Sequence, residues 1–263
     1  MTGDVAIEVR DLRVHFSTNS GRGLLRAVDG LDMTVRKGSF HGIVGESGCG
    51  KTTLARTIIG LQTETSGTVS IDGRDRREWI RSDIASFSRH VQFIFQDPLG
   101  SLSRRQTVRQ SIEEPLRIHK FGSASDRARR IEELLDLVAL PRAVLDRMPR
   151  SLSGGQRQRV SIARALALSP SALICDEPLS ALDVSVRAQI VNLFMTLQAT
   201  LGLTVVMVAH DLAVIREVCS TVSVMYLGRI VEEGETRPLF ERPNHPYTQA
   251  LLSAVPSPNP VIE

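Results

Sequence analysis

Three cysteines, Cys49, Cys175 and Cys219, are all that the 263 residues contain, and no two of them form a C-x-x-C pair. That scarcity excludes a disulfide framework and a cysteine metal cluster, and it points to a reducing compartment. Long hydrophobic runs are missing too. The longest, around Leu203 to Ala209, is far shorter than the roughly 20 residues a membrane-spanning helix needs. The first residues, Met1-Thr2-Gly3-Asp4, carry an acid and no apolar stretch, so no signal peptide is expected. Nor is there a block of one charge: 32 Lys and Arg are interspersed with 29 Asp and Glu, which speaks against a nucleic-acid arm. Internal repeats and low-complexity segments are also lacking. A chain of this length, 42% hydrophobic and 23% charged, can bury a full core as one large domain or two tightly joined subdomains. The expectation is a soluble cytoplasmic protein whose membrane role, if it has one, comes through a partner.

What is there is organised around Gly45-Glu46-Ser47-Gly48-Cys49-Gly50-Lys51-Thr52-Thr53. This stretch fits the phosphate-loop pattern G-x-x-x-x-G-K-[ST]. Glycines let successive backbone N–H groups turn inward around a polyphosphate, where a side chain would block the approach. The following helix points its positive end at the same anion. Lys51 is placed to reach the β- and γ-phosphates, and the Thr52 hydroxyl to ligand magnesium. The context agrees: Ser39 to Val44 reads as a buried strand before the loop, and Thr53 to Ile59 as a helix after it, closed by Gly60. The residues imply a nucleoside triphosphate site.

Either side of this loop the pattern alternates. Ala6–Arg10 and Leu12–Phe16 read as edge strands, Ser17 to Arg26 as a loop, and Leu31–Val35 and Gly67–Gly73 as further strands. Arg74 to Arg89 reads as a charged helix anchored by Trp79 and Ile84, and Val91–Phe95 as a buried strand. Thr107 to Pro149 is helical, with Ser125 as an N-cap ahead of Ala128, Ile131, Leu134, Leu135 and Val138 on one face. After Pro170 strands at 172–175, 204–208, 221–226 and 229–233 alternate with helices at 186–201 and 212–219. Helices between buried apolar strands predict a mostly parallel sheet covered on both faces. The Pro-rich end, Pro256 to Pro260, is expected to be a tail.

Two further stretches carry chemistry. Leu173-Ile174-Cys175-Asp176-Glu177 is an apolar strand delivering two carboxylates at its C-terminal end, the edge where open α/β sheets bind ligands. Asp176 is placed to hold magnesium directly or through water, and Glu177 to polarise a water toward the γ-phosphate. Leu152-Ser153-Gly154-Gly155-Gln156 opens a helix, where a serine and two glycines form either a plain N-cap or a second anion site.

Taken with the phosphate loop, Leu152 to Gln156 resembles the signature motif of the ATP-binding-cassette (ABC) ATPases, and the resemblance extends along almost the whole chain. It implies an α/β fold: a P-loop NTPase core of mostly parallel sheet plus an antiparallel β subdomain, at about 1–96 and 156–235. A helical subdomain would be inserted at about 97–155, and a C-terminal tail of peptide-importer type would follow at about 236–263. Gln96 matches the Q-loop glutamine, which in the family links magnesium and the attacking water to the membrane partner. Ser180-Ala181-Leu182-Asp183 matches the D-loop, placing Asp183 at the dimer interface. His210 matches the switch histidine that contacts the γ-phosphate. Phe16 aligns with the aromatic that stacks on adenine, with neighbouring His15 as an alternative platform. The resemblance further implies that ATP is bound with magnesium between two ATPase subunits, the phosphate loop of one facing Ser153, Gly154, Gly155 and Gln156 of the other.

Asn244-His245-Pro246-Tyr247-Thr248 and the surroundings of Gln96 and Asp183 resemble the ATPases of bacterial oligopeptide/dipeptide/nickel importers. This implies a homo- or heterodimer at the cytoplasmic face of the membrane. Two transmembrane permease subunits would dock by coupling helices in a groove formed by the segment from about Gln96 to Gln106 with the helical subdomain, and an extracytoplasmic substrate-binding protein would complete the system. Ser103-Arg104-Arg105 in that segment reads equally as solvated surface. Peptides are the expected cargo, with nickel, opine or oligosaccharide as alternatives and a non-transport ABC ATPase as the distant one. Some members of the branch bind an iron–sulphur cluster through cysteines after the His-Pro-Tyr-Thr segment; here no cysteine follows Cys219. Cys49, inside the phosphate loop, raises the expectation that alkylation blocks ATP binding, with protection by ATP.

Overall fold

The structure, a computed structural model, describes residues 4–17 and 23–254. The Pro-rich end and part of the Ser17–Arg26 segment lie outside these residues. Two sheets form the frame. The smaller is antiparallel and holds β1 (Val5–Ser17), β2 (Leu24–Arg36), β4 (Ser66–Ile71) and the two-residue β5 (Arg74–Asp75), in the order β2-β1-β4-β5. The larger holds β3 (Phe40–Val44), β6 (Val91–Ile94), β7 (Ala172–Asp176), β8 (Thr204–Val208), β9 (Thr221–Tyr226) and β10 (Arg229–Glu235), in the order β10-β9-β3-β8-β7-β6. All its pairings are parallel except that of β9 with β10.

The apolar runs of β3, β7 and β8 are buried at every position, as strands covered on both faces must be. Alternate residues enter two cores. Val44, Leu173, Cys175, Val205 and Met207 join the larger core, and Ile43, Ile174, Val206 and Val208 the one shared with the antiparallel sheet. Helix α1 (Lys51–Ile58) lies in the second core through Leu54, Ala55 and Ile58. Parallel pairing with β8 on one side and β9 on the other places β3 inside the sheet, and the loop that follows it at the sheet's C-terminal edge.

From Pro98 the chain is helical: α3 (Pro98–Ser101), α4 (Val108–Ile118), α5 (Ala124–Leu137), two short 3-10 turns, and α6 (Gly154–Leu166). Helices α7 (Val184–Leu201), α8 (Leu212–Val218), α9 (Thr236–Glu241) and α10 (Pro246–Ser253) complete the order, with α2 (Arg76–His90) earlier in the chain. Among the described residues no helix is long and apolar enough to cross a membrane.

Four local expectations are corrected. Residues 6–16 form one strand, paired on both sides and bulged at Asp11, which has φ of 41°, so they are not edge strands. The N-cap of α5 is Ser123, not Ser125, because Ser123 and Asp126 exchange side-chain and backbone hydrogen bonds in a capping box. Ile84 is 65% exposed and anchors nothing. Non-helical backbone at Asp83 breaks the face begun by Trp79, and Phe87 takes the second buried position instead. Val91–Phe95 does not run as a wholly buried strand: β6 is the sheet's edge, and Phe95 is exposed.

One buried polar group belongs to β3 itself, the strand that leads into the loop. His41 is fully buried, its Nδ1 2.8 Å from Thr221 Oγ1 and its Nε2 2.9 Å from Ser223 Oγ. Burial lowers its pKa to about 4, so it is neutral at pH 7 and its two hydroxyl partners satisfy both ring nitrogens.

Candidate functional site

Residues 45–53 wrap the start of α1 at the C-terminal edge of β3. Lys51 is buried, and its ammonium donates to the carbonyls of Gly45 at 2.8 Å and Glu46 at 2.7 Å. The lysine is therefore held at the mouth of the loop by the loop's own backbone. The N-cap of α1, Gly50, provides no side-chain cap, so the first N–H groups of this helix remain open for an anion.

The glycines have a reason that spacing could not reveal. A Cβ at Gly45 (φ 151°) would stand 2.1 Å from the Met225 carbonyl oxygen, and one at Gly50 (φ 109°) 2.0 Å from that of Ala27. Both are demanded by backbone from β9 and β2 pressing on the loop. Only Gly48 (φ 81°) would meet nothing within 4 Å, so there alone a bare backbone is not imposed by the chain's own packing.

At the end of β7, Asp176 is 1% exposed and its Oδ1 accepts from the Thr52 hydroxyl at 2.9 Å. Burial raises the Asp176 carboxyl, against the Thr52 hydrogen bond and the more distant charges of Arg56 and Lys51. A buried acid short of positive charge beside a hydroxyl is a fitting pair of donors for magnesium. No group of three or more His, Cys, Asp or Glu among the described residues could hold a metal. A cation here would thus complete its shell with phosphate and water, the usual habit of magnesium.

Glu177 follows with φ of 44°, a conformation costly for a non-glycine residue and characteristic of functional sites. Its N–H is tied to the Val208 carbonyl at 3.0 Å, which fixes the side chain's direction. Gln96 Nε2 donates to Glu177 Oε2 at 2.9 Å, and His210 Nδ1 lies 3.5 Å from the same oxygen. Two residues read separately in the sequence thus converge on the carboxylate of a third.

A cleft of about 430 Å3 runs over the loop, lined by Phe16, Leu25, Arg26, Ala27, residues 47–53, Gln96, Glu177, Leu227 and Gly228. Phe16 lines it and His15 does not; the His15 ring is turned to Asp29 at 3.0 Å instead. Sequence reasoning missed Ala27 and Leu227-Gly228, whose turn is locked to the loop by Gly228 N–H donating to Cys49 O at 2.9 Å. It also missed the Tyr247 hydroxyl, which accepts the Glu46 N–H at 2.9 Å.

The expectation for Cys49 is corrected. Its side chain is 6% exposed, packed under Gly45, and burial raises its thiol pKa against the influence of Lys51. A buried thiol kept protonated is a poor target for alkylation.

Ser153, Gly154, Gly155, Gln156 and Asp183 do not line this cleft. Ser153 caps α6, accepting from Gln156 N–H, while Gln156 Oε1 accepts from Ser153 N–H. Gly155 is needed for packing: a Cβ there would stand 2.6 Å from Val186 Cγ1 at the start of α7. The signature segment and the Asp183 turn therefore form one separate surface.

Residues 28–180 match the family model described as ABC transporter, and residues 231–263 match that of the oligopeptide/dipeptide transporter C-terminal region. The chain is 46% identical over 274 residues to the oligopeptide transport ATP-binding protein OppF of Salmonella typhimurium, covering 98% of this chain and 80% of that protein. It is also 46% identical over 259 residues to OppF of Bacillus subtilis, covering 98% and 84%. Among solved structures it resembles a dimeric ATP-binding cassette in a post-hydrolysis state with ADP and Pi. That likeness has a TM-score of 0.79 and 29% identity over 88% of this chain and 99% of the other.

Proposed function

This chain belongs to the ABC transporter family, and on that premise we propose that it is the ATP-binding and ATP-hydrolysing subunit of a peptide importer. The observation that carries the reading is the convergence of Gln96 and His210 on Glu177 beside the Thr52–Asp176 pair and the open end of α1. Each group has a task that its position suits. Phe16 stacks on adenine. The N–H groups of Gly48 and of residues 50–53, with Lys51, bind the phosphates, the lysine exchanging its backbone carbonyls for phosphate oxygens. Thr52 and Asp176 would hold magnesium, with Gln96 as a further candidate ligand, and the ion would supply positive charge to offset that of the phosphates. Glu177 orients a water in line with the γ-phosphate and accepts its proton, while Gln96 and His210 hold the carboxylate in place.

Ser153, Gly154, Gly155, Gln156 and Asp183 act on the nucleotide of a second cassette, identical or related. ATP buried between the two adds contacts that favour the closed pair, and hydrolysis removes them. A groove of about 410 Å3 lined by Leu61, Ile80, Ile84, Phe93, Phe95 and Arg164 suits an amphipathic coupling helix from a permease subunit. Leu61, Ile84 and Phe95 are exposed there, apolar surface that a partner would cover. Of the expected segment Ser101 lines this groove, with Pro115 from the helical subdomain, while Ser103-Arg104-Arg105 are exposed beside it. The chain would then sit peripherally on the cytoplasmic face under two permease subunits, supplied by an extracytoplasmic binding protein. The division into a nucleotide-binding core, a helical subdomain at about 97–155 and a C-terminal region from about 236 belongs to the same proposal.

The test is uptake of a labelled oligopeptide by cells lacking the chain. Wild type should restore uptake and Glu177→Gln should not. Peptide uptake that persists without the chain, with loss of nickel, opine or oligosaccharide uptake instead, would move the cargo.

A further inference from the structure

The Asn244–Thr248 segment has served so far only as a mark of kinship, yet its geometry leads to the nucleotide loop. Glu232, midway along β10, accepts the N–H groups of Asn244 at 2.8 Å and His245 at 3.1 Å. Burial works to raise the Glu232 carboxyl, but these amides outweigh it and hold the group below its ordinary range. The His245 ring then caps α10, its Nδ1 accepting the Tyr247 N–H at 3.1 Å, and Pro246 begins the helix where no N–H is needed. These contacts fix where Tyr247 stands. Its ring lies against that of Tyr226 with centroids 4.2 Å apart, and its hydroxyl accepts the Glu46 N–H 201 residues away in sequence.

Both ends of this connection belong to the loop's own scaffold. Tyr226 ends β9, next to the Met225 carbonyl that presses on Gly45 and the Leu227-Gly228 turn that lines the cleft. Glu46 carries one of the two carbonyls that hold Lys51. The Tyr247 hydroxyl therefore fixes the peptide unit between Gly45 and Glu46 from one side, while the lysine takes the carbonyls of the same two residues.

We propose that Tyr247 is a positioning residue of the nucleotide site: through the Glu46 amide it sets the conformation of the phosphate loop and couples that loop to α10. The proposal rests on the cleft being the ATP site. Its consequence is reciprocal: if docking of α10 pre-orders the loop for ATP, ATP must by the same factor strengthen the docking of α10.

The test uses the full chain with ATP as the probe. Tyr247→Phe retains the ring, its stacking on Tyr226 and the α10 cap, and removes only the hydroxyl. ATP affinity measured by calorimetry should fall about fivefold, the equivalent of one net hydrogen bond. Amide exchange should quicken at residues 46–49. In wild type ATP should slow exchange across residues 246–253, and in Tyr247→Phe that protection should be lost while the unliganded melting temperature stays within about a degree. Equal ATP affinity in the two proteins, with α10 protected alike, would overturn the proposal and leave the cleft's assignment intact. Wild type failing to bind ATP would overturn both.

Discussion

Two helices of this molecule begin with glycine-bearing turns, and their N-termini are prepared for different duties. At α1 the cap residue is Gly50, no side chain closes the first turn, and the loop is braced from outside by the backbones of β2 and β9. At α6 Ser153 and Gln156 satisfy one another's amides, so part of the donor set is already spent within the chain. The first leaves its N–H groups uncapped by any side chain, as the proposed polyphosphate site needs; the second is a finished helix end that offers a serine hydroxyl and the remaining dipole. On the proposed reading, the difference would let one chain hold a nucleotide yet leave its hydrolysis dependent on a second cassette. Similar residue types do not make equivalent sites; what the chain has already done with the N–H groups decides.

The comparison breaks most severely at the braced glycines. Gly50→Ala should destabilise the fold by on the order of 3 kcal/mol or more, since its methyl meets a backbone oxygen that cannot swing away. Gly48→Ala, which meets nothing and carries only left-handed strain, should cost about 1–2 kcal/mol. Thermal unfolding of the two variants without nucleotide decides the matter. Equal losses would mean that packing is not what requires glycine at position 50.

A smaller effect sharpens the contrast from the other side. Ser153→Ala removes one half of the α6 capping box and should cost about 1 kcal/mol of stability. ATP binding to the isolated chain should be unchanged, while steady-state hydrolysis falls more than tenfold by about the worth of a lost charge-facing donor. Calorimetry beside an ATPase assay separates the two. Weakened ATP binding by the monomer would place Ser153 in the wrong half of the site.

The sequence displayed the site wherever the signal was local. Lys51, Thr52, Asp176 and Glu177 stand in fixed spacing on a strand end or loop, and the short apolar runs between helical stretches marked β3, β7 and β8 as strands of a parallel sheet covered on both faces. What it hid depended on distant partners. Spacing showed that Gly45 and Gly50 were glycine, but only the approach of Met225 and Ala27 showed why. Tyr247 was visible as part of a motif, and its hydrogen bond to Glu46 was not. Neighbouring choices also failed locally: Ser123 and Ser125 are equally good caps until Asp126 reciprocates with one of them. Ile84 looked like a core anchor until the backbone at Asp83 rotated it into solvent.

On the proposed function, a single chain completes the binding half of the site and a second cassette supplies the other. The direct measurement is ATP binding and turnover by the purified chain with magnesium, over a hundredfold range of concentration and again with a partner cassette added. One ATP should bind per chain at high dilution with negligible turnover, and turnover per chain should climb as cassettes are concentrated or paired. Full-rate hydrolysis by the dilute monomer, indifferent to concentration, would contradict this division of the site.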